Sequence, residues 1–118
     1  QIVNLLMRRR NSYMMKLLVI TSLKEYQKNV SQIMDLAGIP VFSVTETIGF
    51  KDHHKPNLLD SWFGAASDQF DSIFLFSFTE TMKAEQALSL VTKYNADSKS
   101  DFPIRAFILP VEKTSGVN

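Results

Sequence analysis

The sequence predicts an α+β sandwich in which two helices cover one face of a four-stranded antiparallel sheet. Four apolar and β-branched segments alternate with two segments of helical periodicity, in the order βαββαβ. The chain of 118 residues has the length of one domain, and its 45% hydrophobic content is enough for a small core.

The first strand and the first helix are predicted from the apolar pattern that opens this domain. Residues 16–21 form a continuous apolar run, which predicts a buried strand. Residues 22–25, with the sequence SLKE, match a capping box and predict that a helix begins there. Its apolar face is predicted to consist of Tyr26, Val30, Ile33, Met34 and Ala37. Gly38 and Pro40 predict the end of the helix.

A long polar segment separates the second and third predicted strands. Residues 41–50 alternate and are rich in β-branched types, which predicts the second strand. Residues 51–69 are rich in Asp, His, Pro, Asn, Gly and Ser and predict one long loop. A loop of that length in a compact domain is usually functional. Residues 70–78 predict the third strand.

The second helix and the fourth strand complete the predicted order. Thr79 or Thr81 is expected to cap the helix at its N-terminus. Its apolar face is predicted to consist of Ala84, Ala87, Leu88, Val91 and Tyr94. Residues 95–103 predict a polar connection, and residues 104–111 predict the fourth strand. The βαββαβ order is the split βαβ, or ferredoxin-like, pattern.

The predicted strands are apolar on both faces of the sheet, although two helices can cover only one. Residues 17–20, 73–76 and 107–109 lack the alternation of polar and apolar types that a solvated face produces. The simplest cover for the second face is another copy of the chain. The sequence therefore predicts an oligomer.

Charge and cysteine content limit the classes of function. The net charge of +1 includes Arg8, Arg9 and Arg10, and residues 1–14 hold no acid. The remainder has 10 Lys and Arg against 12 Asp and Glu, a balance of −2 that argues against nucleic-acid binding. The chain has no Cys, which fits the reducing cytoplasm. It also has no apolar run of the roughly 20 residues that span a bilayer, so we expect no membrane insertion.

Three segments are expected along the chain. Residues 1–14 form a leader or a disordered arm, residues 15–113 form the domain, and residues 114–118 form a tail. No nucleophile–base pair and no carboxylate dyad is apparent in the sequence, so we do not expect an enzyme.

Two segments resemble strands of the PII signal-transduction family, the nitrogen regulatory proteins. VTETIGF at residues 44–50 is similar to the family's V-T-E-x-x-G-F strand, and FILPVE at residues 107–112 is similar to its last core strand, F-V-L-P-V-E. The resemblance covers residues 15–112. It implies a homotrimer whose sheets face inward, with a nucleotide bound between subunits. It also implies a T-loop, here residues 51–69, which docks on a target such as a membrane transporter.

The resemblance also implies which residues bind the effector. Gly49 and Phe50 match the base of the T-loop, and Arg105 matches a lysine that contacts phosphate before the last strand. With Lys51 and Lys113, these residues are the expected site for a small anionic effector such as an adenine nucleotide. No other cofactor is expected, apart from the metal considered below.

The chain departs from the family where the family binds phosphate. The family has a glycine-rich loop there, T-G-x-x-G-D-G-K, whose backbone N–H groups can approach phosphate closely. Residues 95–105 contain no glycine, and the basic R-x-R tail of the family is reduced to Lys113. The chain therefore resembles a divergent PII-like protein.

Two motifs of the long loop have functional interpretations. Trp62, Phe63 and Gly64 place two large aromatic side chains where a docking loop needs a hot spot, although they can equally fold back onto the trimer. His53 and His54 can bind a divalent transition metal, although adjacent histidines in a polar loop are more often only solvated. A metal-binding trimer with the role of the CutA ion-tolerance proteins is thus the first alternative.

A module of the RNA-recognition type is the second alternative, because it shares the βαββαβ order. Phe74, Phe76 and Phe78 lie on one face of the third predicted strand, where such modules stack bases on aromatic rings. No basic residue is interleaved with them, so a role in packing is favoured.

Overall fold

A computed structural model describes residues 14–50 and 69–116, which form an antiparallel sheet with two helices on one face. The elements in chain order are β1 (Met15–Leu23), a 3-10 turn (Lys24–Tyr26), α1 (Gln27–Leu36), β2 (Ser43–Phe50), β3 (Gln69–Glu80), α2 (Thr81–Ser98) and β4 (Arg105–Pro110). The strands lie in the order β2-β3-β1-β4. The predicted α+β fold with βαββαβ order is confirmed.

The core lies between the sheet and the two helices. Leu18 and Ile20 of β1 and Ile73 and Leu75 of β3 are fully buried on this side. The helices add Val30, Ile33, Met34, Ala37, Ala84, Ala87 and Val91. Both predicted helical faces are therefore confirmed, except that Leu90 rather than Leu88 packs against the core. Replacing a core leucine such as Leu18 by alanine costs about 2–5 kcal/mol, because a cavity remains.

The opposite side of the sheet, called the open face below, has no helix over it in the described chain. Residues directly opposed in an antiparallel pair lie on the same face. The register therefore places Leu17, Val19 and Thr21 of β1 on the open face, with Phe74, Phe76 and Phe78 of β3 and Arg105, Phe107 and Leu109 of β4. The edge strand β2 adds Ser43, Thr45 and Thr47. The prediction that the strands are apolar on both faces is confirmed.

The predicted capping box at residues 22–25 is wrong. Ser22 is still part of β1, where it is buried and opposed to Ile73, and its hydroxyl donates to the Leu23 carbonyl rather than to a helix N-terminus. Pairing of β1 with β3 as far as Leu23 outweighs the local preference for a cap. The chain then enters α1 through the 3-10 turn, without a side-chain cap.

The predicted bounds of the second helix also need correction. Thr79 belongs to β3, and the Thr81 hydroxyl donates to the Met14 carbonyl at 3.2 Å instead of capping α2. At the other end, α2 continues to Ser98, so the first four of the nine residues of the predicted polar connection are helical. The helix ends at Lys99, whose φ of 52° is left-handed, the conformation that glycine usually supplies.

Neither helix in the two described segments is long and apolar enough to cross a membrane.

Candidate functional site

The end of β2 carries the two residues expected at the base of the T-loop. Gly49 is buried and lies opposite Phe70 of β3. A Cβ atom at this position would collide with the Phe70 ring, so the ring occupies the space that any other residue would need. A cross-strand aromatic ring over a glycine compensates for the missing side chain in a strand. Phe50, the next residue, is 63% exposed.

A shallow depression lies beside the strand ends that flank the long loop. Its volume is about 550 Å³, and its lining residues are Leu23, Lys24, Glu25, Phe70 and Asp71. Lys24 Nζ lies 2.6 Å from Glu46 Oε1. The hydrogen bond and charge of Glu46 raise the pKa of Lys24. Because both side chains of this ion pair are at least half exposed, its main effect is to fix a positive group near the depression rather than to stabilise the fold.

Arg105, the predicted phosphate contact, begins β4 on the open face. It lies in one row across the sheet with Thr21, Phe74 and Thr45. Toward the long loop this face carries Thr47 and Ser72, whose hydroxyls are 2.7 Å apart, beside Leu23. Toward the other end, β1, β3 and β4 contribute mainly apolar side chains, and β2 contributes Ser43.

Residues 99–104, which precede Arg105 and are called the α2–β4 loop, are held by side-chain hydrogen bonds. Asn95 Nδ2 donates to the Ile104 carbonyl at 2.8 Å, and Asn95 Oδ1 accepts from the Ile104 N–H at 2.9 Å. Ser100 Oγ accepts from the Phe102 N–H at 3.0 Å and lies 2.8 Å from the Tyr26 hydroxyl. The Tyr26 ring also meets Tyr94 edge-on. These contacts tie the loop to α2 and to the 3-10 turn.

The expected effector residues are not brought together within one chain. Gly49 and Phe50 lie on the edge strand β2, whereas Arg105 lies on the opposite edge strand β4. The two edge strands are three strand spacings apart, about 14 Å across the sheet. Along the strand direction, Gly49 lies four residues beyond the row that contains Arg105, which adds about 13 Å. Lys113 is exposed beyond the end of β4. Within one chain, Gly49 and Arg105 are therefore about 19 Å apart.

The remaining predicted residues lie outside the part of the chain that the structure describes. These are Lys51, His53, His54, Trp62, Phe63 and Gly64. In the described segments, 14–50 and 69–116, no group of three His, Cys, Asp or Glu side chains is arranged to hold a metal ion. The metal and docking hypotheses for the long loop stay predictions.

Sequence reasoning missed the residues that shape the α2–β4 loop. Asn95 appeared as one polar residue among several, and Tyr26 as part of an apolar helical face. The partners of the Tyr26–Ser100 contact are 74 positions apart in sequence. Only the strict lack of glycine in residues 95–105 signalled that this loop must be built differently from the family's phosphate loop.

No family model and no curated protein matches the sequence. Solved structures do match the fold. CPII, a nitrogen regulatory PII-like protein from Thiomonas intermedia K12 bound to ADP, AMP and bicarbonate, superposes with a TM-score of 0.60 at 10% identity, over 87% of this chain and 96% of that one.

Two further solved structures are similar. A DUF3240 family protein from Shewanella baltica OS155 has a TM-score of 0.55 and 15% identity, over 89% of this chain and 98% of its own. GlnK from B. subtilis, in complex with ATP, has a TM-score of 0.53 and 11% identity, over 80% of this chain and 82% of its own. The resemblance seen in two strand motifs is thus confirmed at the level of the fold, and the chain has the fold of PII-like proteins.

Proposed function

We propose that this protein is a non-enzymatic PII-like regulator that works as a homotrimer. A small anionic effector binds between subunits, near Gly49, Phe50, Lys51, Arg105 and Lys113. Residues 51–69 contact a protein partner, such as a membrane transporter. The observation that carries the proposal is the open face, which is mainly apolar over the half that lies away from the long loop.

The open face supports self-association because it leaves large apolar side chains in water. Phe78 is 56% exposed and Leu109 is 42% exposed, and they lie on either side of Leu17 in one row. The rings of Phe74, Phe76 and Phe78 pack one after another along β3, with successive centroids 6.2 and 6.3 Å apart. Covering only the exposed part of Phe78, roughly 100 Å², contributes about 2.5 kcal/mol per subunit.

The separation of the expected effector residues supports a site between subunits. Gly49 and Arg105 lie on opposite edges of one sheet, so a ring of copies can bring the β2 edge of one chain to the β4 edge of the next. CPII is bound to ADP and AMP, and GlnK is bound to ATP. An adenine nucleotide is therefore the effector that we propose for this chain.

The long loop is proposed to respond to the effector. It leaves β2 directly after Phe50, which belongs to the proposed site, so an effector that contacts this strand end can change the populations of loop conformations. Trp62, Phe63 and Gly64 are the residues that we propose to contact the partner. Pull-down of partners with and without nucleotide, using Trp62→Ala, measures this dependence.

Self-association is tested by placing a charge on the open face. Phe78→Glu is expected to dissociate the trimer, because a carboxylate cannot be buried there without a partner. Leu36→Glu is the matched control, since Leu36 is 70% exposed at the end of α1 and outside the open face. Light scattering that finds the same mass for both variants would contradict the proposal.

Effector binding is tested by thermal shift with adenine nucleotides. A ligand that binds the native state raises the melting temperature by mass action. Arg105→Gln is expected to remove the shift, and Lys93→Gln, at an exposed position of α2, is expected to keep it. A full shift in Arg105→Gln would exclude Arg105 from the site.

A further inference from the structure

We propose that the effector site selects ligands of low anionic charge, such as a nucleoside monophosphate, over di- and triphosphates. This inference rests on the proposed function, because it concerns the α2–β4 loop beside Arg105. The proposed function does not say which adenine nucleotide binds best, and this inference adds that preference.

The backbone of the α2–β4 loop has few N–H groups to offer to phosphate. The N–H of Phe102 donates to Ser100 Oγ, and the N–H of Ile104 donates to Asn95 Oδ1. Pro103 lies between them and has no N–H. The N–H of Lys99 donates to the Asn95 carbonyl at 3.1 Å. Four of the six loop residues therefore have no N–H group that is available to bind a ligand.

These hydrogen bonds are not easily exchanged for a ligand. Ile104 is 1% exposed, so breaking its bonds to Asn95 would leave buried polar groups without partners. Ser100 is part-buried and is also joined to Tyr26. A phosphate cradle needs several successive N–H groups that point outward, and this loop uses them internally.

The charges around the loop also disfavour a polyanion. Asp97 and Asp101 are exposed and balance Lys99 and Arg105, so these four residues have no net charge. The loop follows the C-terminus of α2, where the helix dipole is negative, and the last turn of α2 holds no basic residue. A guanidinium such as that of Arg105 matches one carboxylate or one phosphate group in a bidentate pair. The charge balance of the loop therefore favours a ligand with one anionic group over a polyphosphate.

The test is calorimetric titration of the full chain with AMP, ADP and ATP at one ionic strength, without divalent metal. The expected result is a higher affinity for AMP than for ATP. An ATP affinity equal to or above that for AMP would overturn the inference and leave the proposed function intact. Failure of all three nucleotides to bind at millimolar concentration would overturn the proposed function and this inference together.

A charge variant tests the cause of the preference. Asp97→Asn/Asp101→Asn removes two negative charges from the loop and is expected to raise the ATP-to-AMP affinity ratio roughly two- to fivefold. Asp35→Asn is the matched control, because Asp35 is exposed near the far end of α1, about 14 Å along the helix axis from Tyr26. An unchanged ratio in the double variant would overturn the electrostatic explanation.

Discussion

Replacing Gly49 by alanine separates a structural role for this glycine from a role in binding. The new Cβ atom would collide with the Phe70 ring, which is part-buried and belongs to the neighbouring strand β3. The ring must therefore move away from the sheet. We expect a loss of stability before any effector is present.

The magnitude follows from the surface that the displaced ring exposes. A part-buried phenylalanine that leaves its site exposes roughly 100 Å² of apolar surface, which is about 2.5 kcal/mol. Alanine regains about 0.5 kcal/mol, because glycine loses more backbone entropy on folding. The net expected loss in the free energy of unfolding is about 2 kcal/mol.

Urea denaturation at fixed protomer concentration measures this loss, with a double-mutant cycle to Phe70→Ala. Once the ring is removed, Gly49→Ala is expected to cost nothing or to stabilise slightly. Gly116→Ala is the control, since a Cβ there meets only the Thr114 hydroxyl of the exposed tail. An equal cost of Gly49→Ala with and without the Phe70 ring would refute the steric explanation.

Three further predictions concern other parts of the chain. Asn95→Ala is expected to cost about 2–4 kcal/mol in urea denaturation, because both polar groups of buried Ile104 lose their partner; a cost equal to that of exposed Lys93→Ala would contradict this. Lys99→Gly is expected to stabilise by about 1 kcal/mol, because Lys99 has a φ of 52°; a lower unfolding midpoint would show that its side chain matters more. If the long loop binds Zn²⁺, His53→Ala/His54→Ala should abolish the heat of titration, and an unchanged affinity would exclude a histidine site.

The helical faces and the βαββαβ order of elements along the chain could be predicted because they depend on periodicity. Val30, Ile33 and Met34 recur at the helical spacing that the core requires, and the structure buries all three. The apolar character of both sheet faces was visible for the same reason, since residues 73–76 show no alternation. Such patterns are local, so they are visible in the sequence whatever the register in which the strands pair.

The helix boundaries were harder to predict, because tertiary pairing decides them. The sequence SLKE favours a cap locally, but Leu23 pairs with Ser72 and keeps residues 22 and 23 in the strand. Helix α2 ends at Lys99 rather than at a glycine, so its end carries no sequence signal. Local propensity is a weak prior wherever long-range pairing competes with it.

The candidate site could be predicted only in part, because its contacts are distant in sequence. The VTETIGF and FILPVE motifs identified the second and fourth strands, but their places at opposite edges of the sheet depend on the strand order. The Tyr26–Ser100 contact depends on how the 3-10 turn meets the α2–β4 loop, and the Asn95–Ile104 bonds depend on how that loop folds back on α2. No local sequence pattern predicts such tertiary contacts between elements.

The molar mass of the wild-type chain in solution tests the central claim most directly. If copies of the chain cover the open face, light scattering should give about 40 kDa, three times the chain mass of 13.4 kDa. The mass should fall in Phe78→Glu but not in Leu36→Glu. A folded wild-type monomer of 13.4 kDa over the accessible concentration range would contradict the account, because its effector residues would then lie too far apart to form one site.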